Sequence, residues 1–230
     1  MVLGLETSGE IAGMALVRGE EVLAQETFRH EMKLSRDLLP RLDALMQGLG
    51  LRPQDLGGVA VSLGPGSFTG LRIGVTAAKT LAYSLGIPVA GVGTLHALGA
   101  EHPAPPPTLC CVLLDAGEQS VFAALFQWTE QGLEPRAEEL QLPIADLVRR
   151  VSLTPLQVVA VGAVEAHGPV LREALGPRLV AERPAQTPSP TTVARLGAGL
   201  ILRGATVQPH DLAPRYLRPS TPEARLARRG

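Results

Sequence analysis

From Ser62 to Gly74 the chain reads SLGPGSFTGLRIG, preceded by the apolar run GGVAV and followed by a segment of helical periodicity. Gly64, Pro65 and Gly66 between a buried strand and a helix demand a sharp turn there. The same geometry is a common phosphate cradle, because free backbone N–H groups and the helix dipole point at the anion. The specific templates are not met. A Walker-type loop needs G-x-x-x-x-G-K-[ST], and this helix continues GLRIG without the lysine. In the dinucleotide fingerprint Thr69 takes the third glycine's place, and no acidic residue follows at about twenty residues. Two readings stay open: a generic anion site around Ser67–Gly70, or a turn into a helix whose Gly70 and Gly74 admit a close neighbour. The second has a physical basis, since glycines four apart share a helix face and an exposed helix gains no stability from them.

Around this unit the chain alternates strand and helix. VLGLETSGEIAGMALV reads as strand, tight polar turn and strand, and EEVLAQETF continues as a third strand. Leu34, Leu38, Leu42, Leu45, Met46 and Leu49 recur at helical spacing, interrupted by Pro40, which kinks the helix or marks its first turn. The helix after the glycine turn runs from Thr69 to Leu85 and is stopped by Gly86 and Pro88. IPVAGVG is the next strand. Four prolines in EHPAPPPT, residues 101–108, form the one clear linker. Beyond it TLCCVLLDAGEQSVFAALF repeats the opening pattern: Glu6 and Asp115 each end a strand before small residues and a second strand. A degenerate duplication into two α/β lobes is therefore expected, over 1–103 and 108–230. Helices are expected near Pro143–Arg150, Glu165–Leu175 and Thr191–Arg203, the last able to pack back on the first lobe.

The chemistry that the residues allow is narrow. The five histidines offer no H-x-x-x-H or H-E-x-x-H pair, and there is no G-x-S-x-G elbow. Cys110 and Cys111 are adjacent on a strand, point to opposite faces, and suit packing rather than a disulfide or metal. Glu6, with Thr7 and Ser8, and Asp115 could orient Mg²⁺ and phosphates across a cleft; equally, each could accept N–H bonds in its own turn. Aromatic residues make up 3% of the chain, which leaves few rings for stacking nucleic-acid bases. Basic charge gathers in residues 215–230, where five arginines face Glu223, a local +4 in a chain of net charge −1. The plain reading is a solvated tail; the sharper one is a contact to RNA or to an acidic partner. With no signal peptide and no apolar run near eighteen residues, a cytoplasmic protein without a membrane contact is expected.

Together LGLETS, SLGPGSFTGLRIGVTAAKTLAYSLGIPVAGVGTLHAL, LLDAGEQSVFAALF and APRYLR resemble the TsaB family, also called YeaZ. The resemblance spans essentially the whole chain, more weakly over residues 133–213. It implies an α/β chain of the actin-like ATPase/sugar-kinase (ASKHA) fold, with two ribonuclease-H-like lobes. It implies a small paralogue of TsaD, the subunit that transfers a threonylcarbamoyl group to tRNA, at the adenosine beside the anticodon where codons begin with A. Such a chain pairs with a TsaD-type subunit through helices of its first lobe, forms homodimers through similar surfaces, and works with a TsaE-type ATPase. It meets tRNA indirectly, through the complex. No tightly bound cofactor is expected, with ATP or ADP admitted at the complex interface.

Three departures bear on activity. The catalytic paralogue carries H-x-x-x-H after the strand that here reads IPVAGVG, whereas this chain has TLHALGAEH. The family's Arg after Asp-Ala is Gly117, and its GDGA-like turn reads GAVEA from Gly162. The resemblance therefore implies a subunit without catalytic or metal residues, in which Glu6, Thr7, Ser8 and Asp115 mark a vestigial nucleotide cleft. The alternatives are a free-standing ATPase or small-molecule kinase of the same fold and, more remotely, a peptidase. The partner surface is expected on the two helices of the first lobe, at Leu38, Leu42 and Leu45 and at Gly70, Leu71, Gly74 and Lys79. On this reading Gly74→Arg blocks pairing and leaves the monomer folded.

Overall fold

The computed structural model describes residues 1–217, so the arginines from position 218 onward lie outside the described residues. The described residues divide into two units: Met1–Ala97 with Thr187–Arg215, and Leu98–Gln186 with Tyr216 and Leu217.

In the first unit β1 (Val2–Glu6), β2 (Ile11–Arg18) and β3 (Glu21–Arg29) form an antiparallel meander. The strands β4 (Gly58–Gly64) and β5 (Val89–Gly93) add in parallel on the other side of β1, giving the order 3-2-1-4-5. Alternation along the strands sends side chains to opposite faces. Leu3, Leu5, Met14, Leu16, Val59 and Val61 meet α1 (Leu34–Gly48) and α2 (Phe68–Leu85) in the main core. Val2, Ala15, Val17, Ala60 and Val92 face the other way, onto α6 (Pro190–Leu202). That face is lined with small residues, and α6 comes close: a Cβ on Gly197 would overlap Ala60, and one on Gly4 would stand 2.6 Å from Ala194. This packing takes residues 187–215 out of the expected second lobe and returns them to the first. The helix α1 runs through Pro40. The helix α2 stops at Gly86, whose φ of +64° is the left-handed cap that glycine adopts without strain.

After α6 the chain straps the first unit. Val207 bridges to Val89, Lys79 Nζ donates to His210 O at 3.0 Å, Leu212 enters the core, and Arg215 N–H donates to Leu63 O at 2.7 Å.

The helix α3 (Thr94–Ala100) carries the chain into the second unit, where β6 (Thr108–Gly117) and β7 (Ser120–Thr129) form a hairpin. The short strands β8 (Gly132–Pro135) and β9 (Leu140–Pro143) pair with β7, while β10 (Gln157–Gly162) and β11 (Leu179–Pro184) extend β6 in parallel. The order 11-10-6-7-8 reproduces the first sheet, with β6 in the place of β1. Leu109, Cys111, Leu113, Val158 and Ala160 form the core under α4 (Ile144–Ser152) and α5 (Val164–Leu175). The repeat extends to backbone detail: Gly64 ends β4 with φ +114°, and Gly162 ends β10 with φ +113°. Each unit is thus ribonuclease-H-like, and the fold is of the actin-like ATPase/sugar-kinase class.

The β6–β7 hairpin turns through Gly117, Glu118 and Gln119 at φ +75°, +52° and +59°. Left-handed backbone costs a non-glycine residue roughly 1–2 kcal/mol, and Asn-Gly suits such turns best. Replacing Glu118-Gln119 with Asn-Gly is expected to stabilise the protein by about 1 kcal/mol. The measurement is the urea midpoint, which should rise at unchanged slope; an unmoved midpoint would contradict the strain assigned to this turn.

Candidate functional site

The end of β1 and the start of α2 are built against each other. Ser67 caps α2: its Oγ accepts from Gly70 N–H at 3.2 Å, and its carbonyl accepts from Leu71 N–H at 2.9 Å. Ser67 N–H in turn donates to Ser8 O at 2.6 Å. Ser8 N–H donates to Glu6 Oε1 at 2.5 Å, and Thr7 N–H donates to Ser62 Oγ at 3.4 Å. Residues 6–8 are buried. They fit because Gly66, Gly70 and Gly74 lack side chains: a Cβ at those positions would overlap Ser8 O, Thr7 O and Thr7 Oγ1 in turn. The close neighbour that Gly70 and Gly74 admit is therefore the chain's own β1 end. Two of the N–H groups that a phosphate at this loop would use, those of Ser67 and Gly70, are bonded within the chain.

In the second unit Asp115 Oδ1 accepts from Gly117 N–H at 3.1 Å and lies 3.7 Å from His167 Nε2, on α5. Glu6 ends β1, Asp115 lies two residues before the end of β6, and each carboxylate takes the N–H two residues further on. The turn-capping alternative thus describes a bond that each residue makes, and the two belong to different units.

The expected partner residues lie elsewhere than expected. Leu38, Leu42 and Leu71 are 1%, 4% and 1% exposed, and Gly70 and Gly74 are buried. Leu45 is half-buried against the same core, and Lys79, also half-buried, clasps His210 O. The reason is general: an apolar stripe at helical spacing marks the face that the helix presents to its own sheet. A partner can reach only the residues off that stripe. On α1 these include Leu39 and, just past its end, Leu49; on α2 they include Tyr83, at 82% exposed, and Arg72, whose guanidinium lies 3.9 Å over the Phe68 ring. Met32, just before α1, is exposed too. They do not stand out in the sequence, because a single exposed apolar residue has no periodicity to betray it. Two charged pairs border α1: Arg36 holds the Asp37 carboxyl below its ordinary range by hydrogen bonding, and Arg41, paired with Glu26, also lies over Phe28.

Among the described residues no group of three or more His, Cys, Asp and Glu stands close enough to hold a metal ion. His30 donates through Nε2 to Gly9 O at 3.1 Å, and burial lowers the pKa of His102. Cys110 and Cys111 are free and buried; burial pushes the Cys110 thiol up to about 12 and raises that of Cys111 as well. A thiolate nucleophile at neutral pH is thereby disfavoured at both positions.

A family model described as "TsaD: tRNA N6-adenosine threonylcarbamoyltransferase" matches residues 22–162. The chain is similar to a Bacillus subtilis protein named tRNA threonylcarbamoyladenosine biosynthesis protein TsaB, at 32% identity over 97% of this chain and 96% of that one. It is also 37% identical to a Tropheryma whipplei tRNA N6-adenosine threonylcarbamoyltransferase, over 44% of this chain but 29% of that protein. A Pseudomonas aeruginosa crystal structure, of a protein described as similar to the peptidase YeaZ, superposes with a TM-score of 0.79. The identity is 25%, over 94% of this chain and 99% of that one.

Gly74→Ala is expected to destabilise the protein by about 2–4 kcal/mol, because neither Thr7 nor the β1 end can retreat from a packed core. Adding Thr7→Ala removes the overlapping hydroxyl and should restore more than about 1 kcal/mol, a coupling that independent sites would not show. The cysteines give a second check. Neither should react with a disulfide reagent at pH 8 until the protein is unfolded. Since the thiols ionise near 9 in the unfolded chain while the folded ones stay protonated, stability should fall as pH rises above about 9.

Proposed function

The chain belongs to the TsaB (YeaZ) family of tRNA threonylcarbamoyladenosine biosynthesis proteins, and we propose that it serves there as the non-catalytic subunit that binds and activates a TsaD-type transferase. One observation carries the reading. The transferase's family model matches residues 22–162, yet the histidine pair is missing and no metal-holding group forms among the described residues. His96 lies on α3 within the first unit, and His102, six residues on, belongs to the second. A body of the transferase type without a ligand set suits a subunit that supplies surface rather than chemistry.

That surface is the outer side of α1 and α2, with Leu39, Leu49, Arg72 and Tyr83. It is the side of the first sheet's helices that the chain's own core leaves uncovered, and a large exposed aromatic ring is the residue type most often dominant in binding. The same face serves a homodimer when no partner is present. A TsaE-type ATPase joins the assembly, ATP or ADP is accommodated between subunits, and tRNA is met through the complex. No helix of the described residues is long and apolar enough to cross a membrane, and the cytoplasm is the proposed place of action.

The test is reconstitution with a purified TsaD-type transferase, a TsaE-type ATPase, threonylcarbamoyl-adenylate, ATP and unmodified tRNA, with and without this chain. Modification should appear only when the chain is present, and the chain alone should give none. Turnover of ATP by the isolated chain, or a complex equally active without it, would move the free-standing ATPase or kinase ahead. Tyr83→Arg and Leu39→Arg should each weaken association with the transferase by about 2 kcal/mol, roughly thirtyfold, while the thermal midpoint stays put. Gly74→Arg, by contrast, is now expected to unfold the first unit, because Thr7 occupies the space that the side chain would need.

A further inference from the structure

Two neighbouring residues just before α1 hold backbone conformations that neither side chain favours. Glu31 and Met32 have φ of +44° and +66°. Lys33 N–H closes the turn by donating to His30 O at 2.7 Å. Positive φ at both central residues makes this a turn of the I′ kind, which Asn-Gly forms readily and residues with longer side chains form under strain. The turn is held from both sides. Before it, His30 N–H donates to Glu10 O at 3.4 Å, and His30 Nε2 donates to Gly9 O at 3.1 Å. After it, Lys33 O accepts the N–H groups of Arg36 and Asp37, both at 3.0 Å, and Leu34 enters the core. Strain of this kind persists only where the surroundings impose it, and it gathers where a chain has a use for it.

What the strain holds in place is a methionine. Met14 and Met46 are buried in the core, whereas Met32 is 89% exposed, and no large apolar residue among the described residues is more so. Its exposure is not a by-product of helix packing. The stripe that seats α1 on its own sheet begins two residues later, at Leu34. Met32 therefore stands at the N-terminal end of the helix that carries the exposed Leu39. A methionine side chain is unbranched and polarisable, so it fills an irregular apolar recess on a partner. Because the turn is fixed at both ends, Met32 would enter such a recess with little backbone freedom left to lose. A turn that served the fold alone would be better made of Asn-Gly, which offers a partner no apolar side chain.

We infer that Met32 is an apolar anchor for the transferase, presented by the strained turn of residues 30–33 at the edge of the α1 face. The inference rests on the proposed subunit role, and it extends the partner surface to a residue that lies on neither helix. The stability that the turn gives up is exchanged for an anchor already set in its binding position.

The experiment measures two quantities on the full chain, the urea midpoint and the affinity for a purified TsaD-type transferase, in three single variants. Met32→Asn adopts the left-handed conformation more readily and removes the anchor. Its midpoint should rise while association weakens about tenfold. Met32→Leu keeps the apolar bulk, and its association should stay within about threefold of wild type. Glu31→Asn relaxes the turn and leaves Met32 in place, so its midpoint should rise at unchanged affinity. Opposite signs in stability and binding at position 32 separate an anchor from a structural residue, whose loss lowers both. If the wild-type chain pairs with the transferase and Met32→Asn pairs as tightly, the anchor is overturned and the subunit role stands. A midpoint that falls in Met32→Asn overturns the strained presentation. Equal weakening in Glu31→Asn assigns the effect to the backbone of the turn and overturns Met32 as the anchor. A wild-type chain that does not pair with the transferase overturns the subunit role and the anchor together.

Discussion

The structure depends on one close approach, that of the end of β1 to the turn before α2 and the first two turns of that helix. Gly66, Gly70 and Gly74 stand at four-residue intervals, and each leaves room for an atom of Ser8 or Thr7. Because β1 is the central strand of its sheet, this seam fixes α2 over the middle of the sheet. The position of α2 then determines what Lys79 can reach, and so where the strap crosses. Hydrogen bonding completes the seam: Ser8 O, Ser67 Oγ and Glu6 Oε1 each accept a backbone N–H that the turn would otherwise bury unmet. A side chain at any of the three glycines would move the helix, and the strap would lose its footing with it.

The second unit repeats the plan without the seam. Asp115 caps its turn as Glu6 does, but its side chain is 64% exposed and the following hairpin turns through non-glycine residues in the left-handed region. The two acids lie near the ends of corresponding strands and are unlike in surroundings. An acidic residue at a strand end therefore says little about metal chemistry by itself. What separates the readings is the partner of its oxygen, and in both units one such partner is the N–H two residues on.

Much of this was legible in the sequence. Alternation marked β1 to β3, short apolar runs marked β4, β5 and β6, the glycine–proline turn marked the passage into α2, and the repeat of strand, acidic turn and strand foretold two like sheets. The strands β8, β9 and β11 were not legible, because they are short and partly exposed, and lack clean alternation. The packing of the helix near Thr191–Arg203 back on the first lobe was expected as possible; what settles it, and carries the whole of 187–215 along, is small residues on three elements far apart in sequence, Gly4 and Ala60 facing Ala194 and Gly197, which no local pattern reveals. The residues expected at the partner face prove to lie on the buried side of the helices for a similar reason. Periodicity reports burial, and the stripe of Leu34, Leu38, Leu42 and Met46 was buried by the chain's own sheet.

That reversal bears on how a subunit without chemistry can be useful. The helix α2 is held by the β1 seam beneath it, by α1 beside it and by the strap that Lys79 clasps. A helix fixed in this way presents its remaining side with little freedom left to lose, and ordering of the interface is one of the larger costs of association. On the proposed reading, the glycines contribute to partner binding although no partner touches them: by letting β1 grip the helix from below, they hold Arg72 and Tyr83 in place above. The constraint that closes the loop at Gly64–Ser67 on the chain itself is then the same one that makes the opposite side of the helix a rigid platform.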